Sequence, residues 1–276
     1  MDKLVKKYRN PLLLASIDLQ SRLWNMFQGR ILDTYRDYKS SKSTENRTIV
    51  VKGNGQQEQL PARGMVGERN GRREGILTHT MFLIGQYLSW THIMKRQIQF
   101  LRFSTVEDGQ NVFRTLEAIQ NVLSTSDYNM KKEEGLEPFM LWRAEQEAIG
   151  EIMTDYANDP ICIMYSEFTR KFEDDKKFTK WFCTIREDFE TLADLTNQMH
   201  RHGSKGHRLW HLQHLLVDLI QRLDVEHVTN KDTLKKVQGP DNECECSNCV
   251  LVGKHRTIFL IWRNLVQRRR LASGDP

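Results

Sequence analysis

The sequence predicts an all-α fold, a single-domain bundle of six to eight helices with a disordered insertion at 37–73 and an appendage after residue 224. Three observations predict it. From Asn10 to Asp224 the ordered-looking stretches repeat apolar residues at the 3.6-residue period of an amphipathic helix. No stretch alternates apolar and polar residues in the way that a succession of half-buried strands does. The 276 residues, 39% hydrophobic and 28% charged, are ordinary for a globular chain long enough to bury a core.

The first helix is expected to open at Asn10 as cap, with Pro11 at the first helical position, where a missing N–H costs nothing. Leu12, Leu19, Leu23, Met26 and Phe27 make its apolar face, widened by Leu13, Ile17 and Trp24, while Asp18 and Arg22 sit four apart on the polar side and can pair. Residues 37–73 then lose all periodicity; KSSKSTEN and KGNGQQEQ are polar and without apolar spacing, so this stretch reads as disordered. The second helix, from about Glu74 to Phe103, carries a broad stripe (Ile76, Leu77, Leu83, Ile84, Tyr87, Met94, Ile98, Leu101). Phe82, Ile93 and Phe100 form a second stripe. A helix apolar on two sides has neighbours on two sides, and this one is expected at the centre.

Ser104 with Glu107 three residues later forms a capping-box pattern for a third helix ending near Leu123. Pro138 is expected to start the fourth, through Leu141, Trp142, Ala148, Ile149, Ile152 and Tyr156. Asn158-Asp159-Pro160 marks a turn, and residues 161–172 read either as a short extended piece or as a first helical turn. Phe178, Phe182, Ile185, Phe189 and Leu192 mark helices over about 175–199. After a loop framed by Gly203 and Gly206, His207–Leu223 is the last strong helix of a body spanning 1–224. Residues 225–276 are read as a linker, a Cys-rich loop and a basic C-terminal helix.

Three phrases, NPLLLASIDLQSRLWN, GQYLSWTHIMKRQIQFL and FMLWRAEQEAIGEIM, resemble segments of an all-helical family of hypothetical proteins from several kingdoms. The resemblance covers about residues 8–224. It implies one contiguous helical domain and no particular activity.

The net charge of +5 is unevenly placed. Residues 1–9 carry a net +3 and residues 251–276 a net +5, which leaves −3 for everything between. By charge the helical body is therefore no nucleic-acid surface. No apolar run is long enough for a membrane span, and MDKLVKKYRN lacks the apolar stretch of a secretory signal. Five cysteines without such a signal point to a reducing, intracellular compartment, whether cytoplasm, nucleus or organelle interior.

Four constellations could carry chemistry. His207, His211, His214 and Asp218 share one face of a helix, at a spacing that lets imidazoles one turn apart ligate one metal ion. The blander alternative is a polar stripe, and Lys205 and Arg208 beside it oppose a cation. Cys244, Cys246 and Cys249 with His255 would complete a tetrahedral zinc site, the alternative being free thiols in a loop. Glu145 falls among Leu141, Ala148, Ile149 and Ile152, which suggests a buried carboxylate paired with Arg96, Lys95 or Arg22. The C-terminal segment places Ile258, Ile261, Trp262 and Leu265 on one face, with Arg268, Arg269 and Arg270 nearby. Such a basic amphipathic helix engages an acidic partner protein or an anionic surface, or else packs onto the body. Cys162, Cys183 and the remaining tryptophans (Trp24, Trp90, Trp142, Trp181, Trp210) read as core.

There is no Gly-rich phosphate loop, no dinucleotide fingerprint and no nucleophile elbow. The expectation is a non-enzymatic helical interaction module that uses its basic C-terminal segment. Its rival is a metal-dependent helical enzyme built on the 207–218 stripe, with zinc the cofactor in question.

Overall fold

The computed structural model describes residues 2–29, 31–44, 65–99, 107–125, 139–194, 206–227, 229 and 234–237. Among them run nine helices and one strand pair: α1 (Asp2–Phe27), α2 (Ile31–Thr44), α3 (Met65–Gln99), α4 (Glu107–Ser124), α5 (Arg143–Ile152), β1 (Thr154–Asp155), β2 (Ile161–Cys162), α6 (Tyr165–Asp174), α7 (Lys176–Lys180), α8 (Cys183–Asp194) and α9 (His207–Leu223). The fold is all-α, as the periodicity predicts.

Five helices close a ring around the core. α1 packs on α3 and on α9, α9 on α4, α4 on α5, and α5 returns to α3. Helices α2, α6 and α8 also lie against α3, which is the central helix that its two apolar stripes require. Leu77, Met81, Leu116, Ile149, Leu216 and Ile220 point into the ring and are fully buried. Each such side chain stabilises the fold by about 1.5–3 kcal/mol relative to exposure. A second knot of core lies under α6–α8. There Phe168 meets Phe82, Phe172, Phe178 and Phe182 at ring-centroid distances of 5.3–5.6 Å, mostly edge to face.

Two stretches are more helical than their composition suggests. Helix α2 runs through Thr44 and α3 begins at Met65, so both ends of the 37–73 insertion are helical, and 45–64 lies outside the described residues. The reason is tertiary. Leu32 and Tyr35 of α2 are buried, and Tyr35 packs edge-on to Phe189 of α8 and donates to Glu190 Oε1 at 3.2 Å. Arg73 lies 4.8 Å above the Tyr35 ring and 3.5 Å from Glu190, and Glu74 pairs with Arg186 at 2.9 Å. Charged residues that look solvated in sequence thus tie α2, α3 and α8 together.

Other boundaries shift for equally local reasons. Pro11 lies inside α1, not at its start, and leaves the carbonyl one turn earlier without its usual donor. Arg22 turns to His79 Nδ1 on α3 rather than to Asp18. Helix α5 starts at Arg143, not Pro138, because the lead-in is spent elsewhere. Phe139, in the left-handed region at φ 58°, donates its N–H to Asp188, and Leu141 N–H donates to the Leu123 carbonyl. The ambiguous 161–172 stretch is both things in turn. Ile161–Cys162 pairs antiparallel with Thr154–Asp155 around the Asn158-Asp159-Pro160 turn, and α6 follows at Tyr165.

The segment after α9 is not wholly an appendage. Residues 234–237 return to α9, and Val237 is buried there. The capping box at Ser104 lies outside the described residues.

Candidate functional site

Residues 234–237 lie across the Trp210–Asp218 part of the α9 stripe, where His214 and Asp218 are partly covered, while His211 stays partly exposed. His214 Nε2–H donates to the Val237 carbonyl at 2.8 Å, and Trp210 Nε1–H reaches the same oxygen at 3.2 Å. Gln213, fully buried, donates to the Lys235 carbonyl at 2.9 Å and accepts from Val237 N–H at 3.1 Å. Asp218 pairs with Lys236 at 2.6 Å. Burial holds the His214 imidazole neutral, its pKa lowered to about 4.

This arrangement overturns the four-ligand reading. Asp218 is drawn to an ammonium and His214 to a carbonyl, while His207 and His211 face each other at 3.2 Å beneath Trp210. Among the described residues no group of three or more His, Cys, Asp or Glu side chains could hold a metal ion. Arg208, taken from sequence as a cation beside the stripe, is buried and donates to the Val122 and Thr125 carbonyls at the end of α4. There it meets the negative end of that helix dipole.

Glu145 is not a core ion pair. It is half-buried, and its Oε2 accepts the Trp142 backbone N–H at 2.7 Å, so its carboxylate closes the first turn of α5. The misreading follows from the helix start. Counted from Pro138, Glu145 is mid-helix; counted from Arg143, it stands at the third position. Of the tryptophans taken as core, Trp142 and Trp181 are exposed, as is Cys183; Cys162 is buried, and burial pushes its thiol up to about 11. Cys244, Cys246, Cys249, His255, Ile258, Ile261, Trp262, Leu265, Arg268, Arg269 and Arg270 lie outside the described residues.

Two features that sequence reasoning missed remain. The first is a cleft of about 260 Å³ between α3, α4 and α5. Helix α3 contributes Leu88, Thr91, His92, Lys95 and Arg96; Gln120 comes from α4, and Gln146 and Glu147 from α5. Gln146 is 2% exposed, and its Nε2 donates to the Gln120 and Leu141 carbonyls. Two carbonyl acceptors fix the amide nitrogen on that side, which leaves Oε1 without a partner. Thr91 Oγ1 is likewise buried, with only the buried Tyr87 hydroxyl near it. Lys95 is half-buried; burial lowers its pKa against the pull of Glu147. His92 is also shifted down, by burial and then by Arg96. At the rim, Tyr156 OH lies 2.7 Å from His92 Nε2 and 3.4 Å from Arg96 Nη1.

The second is the hairpin corner. Tyr156, Ile161, Met164 and Tyr165 all stand exposed there within ten residues, Met164 by 72%. One contact fastens this corner to α1, the Lys7–Asp159 pair at 2.6 Å, and one to α3, where His79, which Arg22 of α1 touches, meets the Tyr165 ring edge-on at 5.6 Å. Leu14, on α1 between Lys7 and Arg22, is 61% exposed.

No helix among the described residues is long and apolar enough to cross a membrane. Comparison with family models, curated proteins and solved structures returns no match, so neither family nor function is assigned by similarity.

Proposed function

We propose that the chain is a non-enzymatic helical interaction module that docks a partner protein. The observation that carries the reading is the hairpin corner, where four large apolar or aromatic side chains face solvent within residues 156–165. Single exposed apolar residues are ordinary, whereas a concentration of them on one short, anchored turn is typical of protein contact sites. Tyrosine and methionine are also favoured at interface centres. The corner is rigidly placed by the β1–β2 pair and by Lys7, which suits a preformed docking face. The basic C-terminal segment, which carries Trp262 and Leu265, is the second contact of this reading, toward an acidic partner or an anionic surface.

The test is quantitative affinity capture with the full chain, compared with an Ile161→Asp/Met164→Asp variant and a Trp262→Ala/Leu265→Ala variant. A stoichiometric partner should be lost from the first variant while its thermal transition stays within about a degree, since both side chains are exposed. Loss from the second variant instead would move the contact to the tail. An identical partner profile for all three proteins overturns the proposal.

A further inference from the structure

The cleft between α3, α4 and α5 is built of groups that a soluble bundle has no packing reason to bring together. Gln146 buries an Oε1 that no protein group satisfies, the Thr91 hydroxyl has only the buried Tyr87 hydroxyl near it, and both residues line the same cleft. Buried polar atoms in native proteins are nearly always partnered. Other buried polar atoms here, such as Gln86 Oε1 and Tyr87 OH, do not line the cleft, whereas those of Gln146 and Thr91 do, within reach of a partner from outside the chain. Lys95 adds a half-buried ammonium. The acids it feels, Glu147 and Glu117, act on it through space, with no ion pair at Lys95 among the described residues. Arg96 stands one residue further on, at the rim.

The charges also argue against a bare anion. Lys95 and Arg96 are opposed by Glu147 on the facing helix, and His92 senses Glu151 as well. The site therefore has a cationic side on α3 and an acceptor side on α5, formed by the Glu147 carboxylate and the Gln146 amide oxygen. At about 260 Å³ it lies just below the usual range for drug-sized ligands.

We infer that this cleft binds a small metabolite carrying an oxyanion, carboxylate or phosphate, together with a hydroxyl or amine. The oxyanion sits on Lys95 and Arg96, where charge-assisted hydrogen bonds are strongest in a partly desolvated place. The hydroxyl or amine donates toward Glu147 and Gln146, and the Thr91 hydroxyl serves either half. The inference concerns a small molecule and is probed at Lys95 and Thr91, apart from the Ile161 and Met164 of the docking test, although Tyr156 of that face touches His92 and Arg96 at the cleft rim.

Calorimetric titration of the full chain with four probes tests it: inorganic phosphate, glycerol, glycerol phosphate and glycerate. Glycerol phosphate or glycerate should bind at least 10-fold more tightly than either inorganic phosphate or glycerol. Whichever binds better identifies the oxyanion. Lys95→Met should weaken that binding at least 10-fold, and Thr91→Val by a few-fold, without lowering the melting temperature of the unliganded protein. The inference is overturned if all four probes fail to bind at millimolar concentration. It is equally overturned if inorganic phosphate binds as well as the two-part probes, or if binding survives Lys95→Met. Should Lys95→Met fail to fold, Lys95→Gln provides the same reading.

Discussion

The two polar regions of the ring, the α9 stripe and the α3–α5 cleft, begin from the same material and end in opposite states. Each is a set of polar and titratable side chains along a helix otherwise committed to the core. On α9, residues 234–237 supply carbonyls, an N–H and an ammonium to Gln213, His214, Trp210 and Asp218. On α3, Lys95 makes no ion pair among the described residues, and Gln146 opposite, whose Nε2 donates to two backbone carbonyls, leaves its Oε1 unpartnered. The lesson is that a polar stripe is structural or available according to what the rest of the chain lays across it. Stripe periodicity alone does not distinguish the two.

Breaking the satisfied region should have the largest effect. Gln213→Ala strands the Val237 N–H in a buried place, at roughly 1–3 kcal/mol, and the Lys235 carbonyl in a partly buried one, at less. We expect a total loss of about 2–4 kcal/mol by denaturant unfolding; a loss below about 0.5 would mean that the covering segment is not held by this amide. Next is the close approach of α3 and α5. A Cβ at Gly150 would lie 2.8 Å from both the Leu88 carbonyl oxygen and His92 Cβ, so Gly150→Ala must push the helices apart. Overpacking of this kind costs about 1–3 kcal/mol, despite the better helix propensity of alanine. Gly85→Ala, whose neighbour is the flexible Met153 side chain at 3.0 Å, is the milder control.

Acid should separate the regions more gently. Because the folded protein holds His214 neutral down to about pH 4, the unfolded chain takes up its proton first as pH falls below about 6.5. Stability contributed by this group is therefore complete above pH 6.5, declines as pH falls, and levels off below pH 4. His79 and His92, both shifted down by burial, add the same sign. A His214→Gln variant should show a shallower fall in melting temperature between pH 7 and 5; an unchanged slope would contradict the neutral, buried imidazole. The smallest effect, and the one of opposite sign, is expected at the cleft. Lys95→Met removes a half-buried ammonium that has no ion pair among the described residues and should leave stability unchanged or raise it by up to about 1 kcal/mol. A clear loss would make Lys95 a structural residue.

How much of this was legible in sequence follows from how local each cause is. Helix α9 runs from His207 to Leu223, the span that its leucine period and the Gly203–Gly206 loop predict. The central place of α3 also follows from its own two stripes. Helix α2 escaped because its stability rests on Leu32 and Tyr35 and on partners in α8 more than 140 residues away. Glu145 was misassigned because its role depends on where α5 begins, and that is set by Leu123 and Asp188. The cleft left no trace in any single stretch. It gathers residues 88–96, 120 and 146–147, and each of those is unremarkable within its own helix.

Val237 also sets a leash. Residues 234–237 are fastened across α9, and only seven peptide steps separate Val237 from Cys244. Fully extended, seven residues span at most about 25 Å. The first cysteine of the tail is thus confined by covalent length to a shell around the α9 face, whatever its conformation. Any ion or partner that the cysteine cluster engages is met at a high local concentration beside α9, and cutting the Gln213 anchor would lengthen that tether at once.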